Sequence, residues 1–304
     1  MAKVLEIKKM VAETGIMLLE QKLAARTWGN TSARIDDAFF AISPSGLDYL
    51  HTEPEDIAVV RLADMTWKGR RKPSSEKGIH AAAYNSLADV RFVIHTHQKF
   101  ATALGLGGFD SSRLTPEEKE ILGTVTTAAY GLPGTKTLAA NVAKRFEEGS
   151  RVVFMKHHGV VICGTDRDDA FRKAVLLEEV CRKQIRGMDP GRPAGEQFAK
   201  LGIPMKAQLD DMAQMLGGKI RVVSQEAYSK DKLRKYGALI IKDKGIKVYA
   251  DDPEDREALL ILTEKAAVSA LHTRAIGEKA LIPAADTWLM RTVYKFKYSK
   301  QKKG

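Results

Sequence analysis

The chain has 304 residues, 44% of them hydrophobic and 29% charged, which is the composition of an ordinary globular protein long enough for one or two domains. No apolar stretch approaches the roughly 20 residues of a membrane span, and the N-terminus lacks a signal-peptide core, so a cytoplasmic protein with no membrane partner is expected. The only cysteines, Cys163 and Cys181, are too few for a disulfide framework and read as packing residues. The formal charge of +11 raises nucleic-acid binding, yet the excess is dispersed over helices and the tail 295–303. The expectation is therefore no nucleic acid, with the charge serving to steer a phosphorylated small substrate.

Residues 3–23 predict an amphipathic helix, with Val4, Ile7, Met10, Val11, Met17 and Leu18 close to helical spacing. The loop 27–30 leads into strand-like runs at 33–35 and 38–42. A helix over about 75–86 follows, with Ser74, Ser75 and Glu76 at its start. Ser75 suits an N-cap and Glu76 suits the positive end of the helix, but hydroxyls and free N–H groups there also suit a bound anion. The next run, Arg91-Phe92-Val93-Ile94, ends in His95-Thr96-His97. Side chains alternate along a strand, so His95 and His97 face one way and can serve one ion.

Residues 138–147 predict another helix. Residues 151–155 and 160–163 are short apolar, β-branched runs joined through Lys156-His157-His158-Gly159, which predicts a hairpin whose tip carries a third imidazole, His158. Three imidazoles with an open fourth position describe a catalytic rather than a structural zinc-type site. His157 points away from His158 and reads as structural, as does His80 on its helix; His51 and His272 have no visible partners. A long helix at 167–186 ends at Gly187, and alternating helices and strands imply an α/β layer structure.

The cluster from Gly187 to Pro193 marks a boundary, and 188–217 reads as a linker. Beyond it, Lys242-Asp243-Lys244-Gly245, Asp252, Asp255, Leu262 and Glu264 align without a gap on Lys156-His157-His158-Gly159, Asp166, Asp169, Leu176 and Glu178, at a constant offset of 86. This predicts that 218–304 is a truncated repeat of part of the first domain. Its counterpart of His158 is Lys244, whose ammonium cannot ligate a cation while protonated, so the second copy reads as non-catalytic.

Six signatures, in order, are Gly29-Asn30-Thr31-Ser32-Ala33-Arg34, Ile42-Ser43-Pro44-Ser45-Gly46, Pro73-Ser74-Ser75-Glu76, His95-Thr96-His97, Tyr130-Gly131-Leu132-Pro133-Gly134-Thr135 and His158-Gly159. Over residues 1–187 the chain resembles the class II aldolase/adducin family, in particular its metal-dependent sugar-phosphate aldolases of the L-fuculose-1-phosphate aldolase type. The resemblance implies a three-layer α/β fold on a central mixed or antiparallel sheet. It also implies retro-aldol cleavage of a ketose phosphate to dihydroxyacetone phosphate and an aldehyde. His95, His97 and His158 would hold Zn2+ or another divalent ion such as Mn2+ or Co2+, and Glu76 would move the proton on the donor carbon. Gly29, Asn30, Ser45, Gly46, Ser74 and Ser75 would form the phosphate pocket.

By the same resemblance Tyr130 would donate a proton to the aldehyde oxygen, reaching into a neighbouring subunit of a homo-oligomer whose sites lie near its interfaces. The segment 218–304 is then expected to alter the usual ring of subunits. Epimerase relatives resemble Ser-Ser-Asp at the Glu76 position and carry His-Ala-Asp before the tyrosine loop, where this chain has Ser-Ser-Glu and Thr-Thr-Ala-Ala. Dehydratase and decarboxylase relatives share the metal core. Adducin-like scaffolds have lost the histidines that this chain retains.

Overall fold

The computed structural model describes residues 2–25 and 27–298. The chain divides into two compact units, one made of residues 1–105 and 110–183 and the other of 106–109 and 184–304.

In the first unit, α1 (Ala2–Glu20) precedes β1 (Asn30–Arg34), β2 (Phe39–Ile42), β3 (Ala58–Arg61) and β4 (Trp67–Lys68). Then come α2 (Lys77–Ser86), β5 (Phe92–Thr96), α3 (Lys99–Leu104), α4 (Pro116–Leu122), β6 (Val125–Ala128), α5 (Lys136–Glu147), β7 (Val152–Met155), β8 (Gly159–Gly164) and α6 (Arg167–Gln184). The eight strands form one mixed sheet in the order β4-β3-β2-β1-β5-β8-β7-β6, in which β6 and β7 run parallel and the other neighbours antiparallel.

Alternation along the strands builds the layers. Val93, Val153, Val161 and Cys163 turn to the face where α2 and α5 pack, in one core with Ile79, Ala83, Leu138, Val142 and Phe146. Phe92, Ile94, Phe154, Val160 and Ile162 are equally buried on the opposite face, against which α3 packs. A strand buried on both faces reads as a continuous apolar run, as β5 and β8 do. Both cysteines are buried and free, consistent with packing.

The second unit carries α7 (Ala194–Ala199), β9 (Met205–Lys206), α8 (Asp210–Leu216), β10 (Lys219–Val223), α9 (Lys230–Tyr236), β11 (Ala238–Ile241), β12 (Gly245–Val248), α10 (Pro253–Ile276) and α11 (Ala284–Val293). Its four strands lie in the order β12-β11-β10-β9. Residues 188–217 are not the linker that the glycine and proline cluster suggests. They contain α7, β9 and α8, and Phe198, Met205, Leu209 and Met212 are buried, because apolar residues at this density must be covered. The apolar face of α10 packs on α7, α8, β9 and β12 of its own unit.

The offset of 86 recurs in the element boundaries. β11 begins and ends 86 residues after β7, β12 begins 86 after β8, and α10 begins 86 after α6. The turns agree in backbone, since His157 and its counterpart Asp243 are both left-handed, at φ 72° and 61°. So do the helix contacts. Glu178 accepts from the N–H groups of Phe100 and Ala101 in α3, and Glu264, 86 residues on, accepts from Ala194 and Gly195 in α7. A carboxylate at a helix N-terminus satisfies otherwise unpaired N–H groups. In the second unit β12 stands at the sheet edge, where its counterpart β8 pairs with the histidine-bearing β5. His272, without a visible partner in the sequence, pairs with the carbonyl of Gly107 and the N–H of Arg186. The tail beyond Tyr298 lies outside the described residues, among which no helix is long and apolar enough to cross a membrane.

Candidate metal centre

Four elements end at one place: the start of β1, the end of β5, the start of β8 and the N-terminus of α2. Register brings them together, with Asn30 opposite His95 and His95 opposite Val161. Two glycines make the approach possible. At Gly29, φ is 91° and a Cβ would come within 2.4 Å of the His95 carbonyl oxygen; at Gly159 it would come within 2.3 Å of the Thr96 carbonyl. No other residue fits either position without moving β5.

His95, His97 and His158 converge as the spacing predicts. Each offers a ring nitrogen within 4.8 Å of the others, and His95 and His158 are buried. His97 lies one residue beyond the end of β5, yet its Nε2 is 3.0 Å from His95 Nε2. Around a tetrahedral ion with bonds of about 2.0–2.1 Å, ligand nitrogens stand about 3.3 Å apart. His95 Nδ1 donates to the Val160 carbonyl at 2.9 Å, which leaves Nε2 as the bare nitrogen facing the other two rings. Such a second hydrogen bond fixes which nitrogen is available to a metal.

Glu76 sits at the N-cap of α2 but makes no side-chain cap, turning instead into the cluster. Its Oε1 is 2.7 Å from His158 Nε2, and its Oε2 is 3.3 Å from His95 Nε2 and 2.8 Å from Asn30 Nδ2. Burial alone would raise this carboxyl; the facing His95, His158 and His97, with the hydrogen bond from His158, hold it well below the usual range. Burial, opposed by Glu76 and reinforced by the other two rings, keeps His95 well below an ordinary imidazole. Both shifts fit an ionised Glu76 that receives the N–H of His158 and faces a neutral His95. Neutral imidazoles and a carboxylate, buried together, are a fitting donor set for a divalent cation.

Behind Glu76 runs a chain of hydrogen bonds that the sequence did not reveal. His80 is fully buried, and its pKa is pushed down to about 4 by burial, against the opposing pull of Glu76, so it is neutral. Its Nε2 meets Asn30 Oδ1, and its Nδ1 lies 2.6 Å from Ser32 Oγ, which is 2.6 Å from the Tyr84 hydroxyl. An amide oxygen only accepts, so His80 Nε2 carries the proton and Nδ1 accepts from Ser32. Every donor in the chain from Tyr84 to Asn30 can then point toward Glu76. The signal was present in the i, i+4 spacing of Glu76, His80 and Tyr84 on α2, but that spacing also marks an ordinary packed helix face.

Of the residues expected to hold phosphate, Asn30 and Ser74 bond to Glu76, and Gly29 packs on the His95 carbonyl. Loops 43–46 and 72–75 are stitched together by Ser45 N–H to the Lys72 carbonyl and Ser74 N–H to the Ser43 carbonyl, both 3.0 Å. Ser74 Oγ accepts from Glu76 N–H; Ser75 and Gly46 are exposed, and Ser45 is half-buried. Asn30 differs from expectation in part, because one amide N–H and the carbonyl oxygen are engaged by Glu76 and His80, which leaves one N–H for a ligand. The half-buried Tyr130 meets His157 edge-on, with ring centroids 5.1 Å apart.

Residues 9–185 match the model of the Class II Aldolase and Adducin N-terminal domain family. An L-fuculose phosphate aldolase of Methanocaldococcus jannaschii is 34% identical over 172 residues, 57% of this chain and 92% of that protein. An L-ribulose-5-phosphate 4-epimerase of Salmonella paratyphi A is 29% identical over 201 residues, 61% of this chain and 88% of the epimerase. Among solved structures, an L-fuculose 1-phosphate aldolase superposes with a TM-score of 0.54 at 30% identity, covering 59% of this chain and 84% of the other.

Proposed function

The chain belongs to the class II aldolase and adducin N-terminal domain family, and from that premise we propose that it cleaves a ketose phosphate by a metal-dependent retro-aldol reaction, giving dihydroxyacetone phosphate and an aldehyde. The observation that carries the reading is the convergence of buried His95 and His158, half-buried His97 and an ionised Glu76. His95, His97 and His158 would hold a divalent ion, which when bound would supply Lewis-acid polarisation of the substrate carbonyl.

The remaining work falls to the chain's own groups. Loops 43–46 and 72–75, with the free N–H of Asn30, offer hydroxyls and backbone N–H groups to the phosphate, as turn backbones do for anions. Glu76 exchanges the proton on the donor carbon. The C4 hydroxyl loses its proton as the bond between carbons three and four breaks, and the electron pair stays with the three-carbon fragment. Glu76, after taking up a proton from substrate or solvent, returns it to the donor carbon to complete dihydroxyacetone phosphate. Asn30, fixed by His80, aims that carboxylate. Tyr130 is assigned to proton transfer at the aldehyde oxygen in an adjoining subunit.

The glutamate in Ser-Ser-Glu, rather than an aspartate, supports aldol cleavage over 4-epimerisation. A screen of ketose 1-phosphates with enzymatic trapping of dihydroxyacetone phosphate, and metal analysis of the same sample, tests the proposal. Cleavage that is lost on chelation supports it. A metal-loaded protein that interconverts 4-epimers without releasing a three-carbon fragment would replace it with the epimerase reading.

A further inference from the structure

The positive charge is concentrated in the C-terminal part of the chain, where residues 184–304 hold 23 Lys and Arg against 15 Asp and Glu. Part of it collects on one face of the second unit's sheet. Lys219 on β10 stands directly opposite Lys206 on β9 in the antiparallel register. Arg221 is two residues further along β10 and so shares the face. Like charges directly opposite one another destabilise a strand pair. Among the described residues no carboxylate forms an ion pair with any of the three.

These cations open onto a cleft of about 470 Å³, lined by Lys206, Lys219, Arg221, Leu216 and Gly218. That volume lies within the range of small-molecule sites. Two neighbouring contacts prepare it for an anion. The Arg221 guanidinium is stacked on the Tyr236 ring, 4.2 Å from its centroid, which restricts a fork already shaped for phosphate oxygens. Arg291 donates to the carbonyls of Gln214, at 2.9 Å, and Met215, covering the negative end of α8 just before Leu216. The negative end of α8 is thus covered by a cation that does not line the cleft.

We propose that this cleft binds a small phosphorylated ligand, whose phosphate is held by Arg221, Lys219 and Lys206 and whose body rests on Leu216. Three cations converging on one pocket fit a single phosphoryl group. A nucleic-acid strand calls for a basic groove that tracks the backbone, with bases stacking on open aromatic faces, whereas the Tyr236 ring here is already occupied by Arg221. The site is separate from the histidine cluster and does not depend on the aldolase reading.

Calorimetric titration of the full-length protein with inorganic phosphate tests the idea, comparing wild type with Lys219→Glu/Arg221→Glu and with Lys206→Ala. All three positions are exposed, and thermal melts verify that the variants fold. A saturable site should weaken about 10- to 100-fold in the double variant, the loss expected for removing charge-assisted hydrogen bonds, and less in Lys206→Ala. Phosphate binding at the histidine cluster should be unchanged and serves as the internal control. Identical isotherms for wild type and the double variant would overturn the proposal. So would heat that does not saturate and vanishes at moderate salt, or binding of single-stranded RNA by a protein that binds no phosphate at these residues.

Discussion

Replacing Glu76 by glutamine tests the chemistry at a position where the structure defines what is lost. The carboxylate receives hydrogen bonds from Asn30 Nδ2, at 2.8 Å, and from His158 Nε2, at 2.7 Å. An amide has one acceptor in place of two, so one donor must face an NH2 group. Asn30 cannot turn over, because His80 donates to its Oδ1. The new amide oxygen must therefore face Asn30, which sets its NH2 group against His158 Nε2. A buried donor left without an acceptor costs about 1–3 kcal/mol, which is the loss expected in metal-free protein. The loss in turnover is much larger. Removing a general acid–base group costs about 100- to 10,000-fold, or about 3–5 kcal/mol in the barrier. Steady-state cleavage with trapped dihydroxyacetone phosphate, urea melts and metal content read these effects together. Cleavage within a few-fold of wild type, with metal bound, would remove Glu76 from the proton transfers.

Two further predictions concern stability. The His80 pKa of about 4 in the folded protein lies below its ordinary value of 6.5, so the fold resists protonation of this ring. Its contribution is complete above pH 6.5 and is lost as the pH falls from 6.5 toward 4, amounting to about 3 kcal/mol. His80→Gln should flatten that part of the stability curve by the same amount, measured by urea melts at several pH values; an unchanged slope would show that His80 does not titrate as assigned. In the second unit, Glu264→Gln should destabilise by about 1–2 kcal/mol, because Ala194 and Gly195 at the start of α7 then compete for one acceptor. Glu178→Gln should do the same at α3, and opposite signs for the two would break the equivalence of the repeats.

Period and punctuation made much of the first unit legible. The apolar run Phe92-Val93-Ile94 gave β5, the side-chain alternation beyond it put His95 and His97 on one face, and the Gly159 turn gave the hairpin that brings His158 to them. Less was visible where several elements cooperate. β6 and the small helices α3 and α4 are short and take their order from tertiary packing, which local propensity does not report. The linker reading of 188–217 failed because glycine and proline at 187–193 end one element without saying that a buried one follows. The orientation of Asn30 toward Glu76 is coupled to the tautomer of His80 on α2, whose other ring nitrogen meets Ser32, two residues along β1 from Asn30. The 86-residue offset, in contrast, was readable because the turn and the helix-binding glutamate both require particular residues at fixed positions.

The account rests on the claim that His95, His97 and His158 hold one divalent ion beside Glu76, and cobalt substitution reads that directly through ligand-field absorption and stoichiometry. Wild type and His157→Ala should each take up one Co2+ per chain, with the intense visible bands of a low-coordinate site, while His158→Ala should take up none. Full occupancy with an unchanged spectrum in His158→Ala, and loss in His157→Ala, would contradict it.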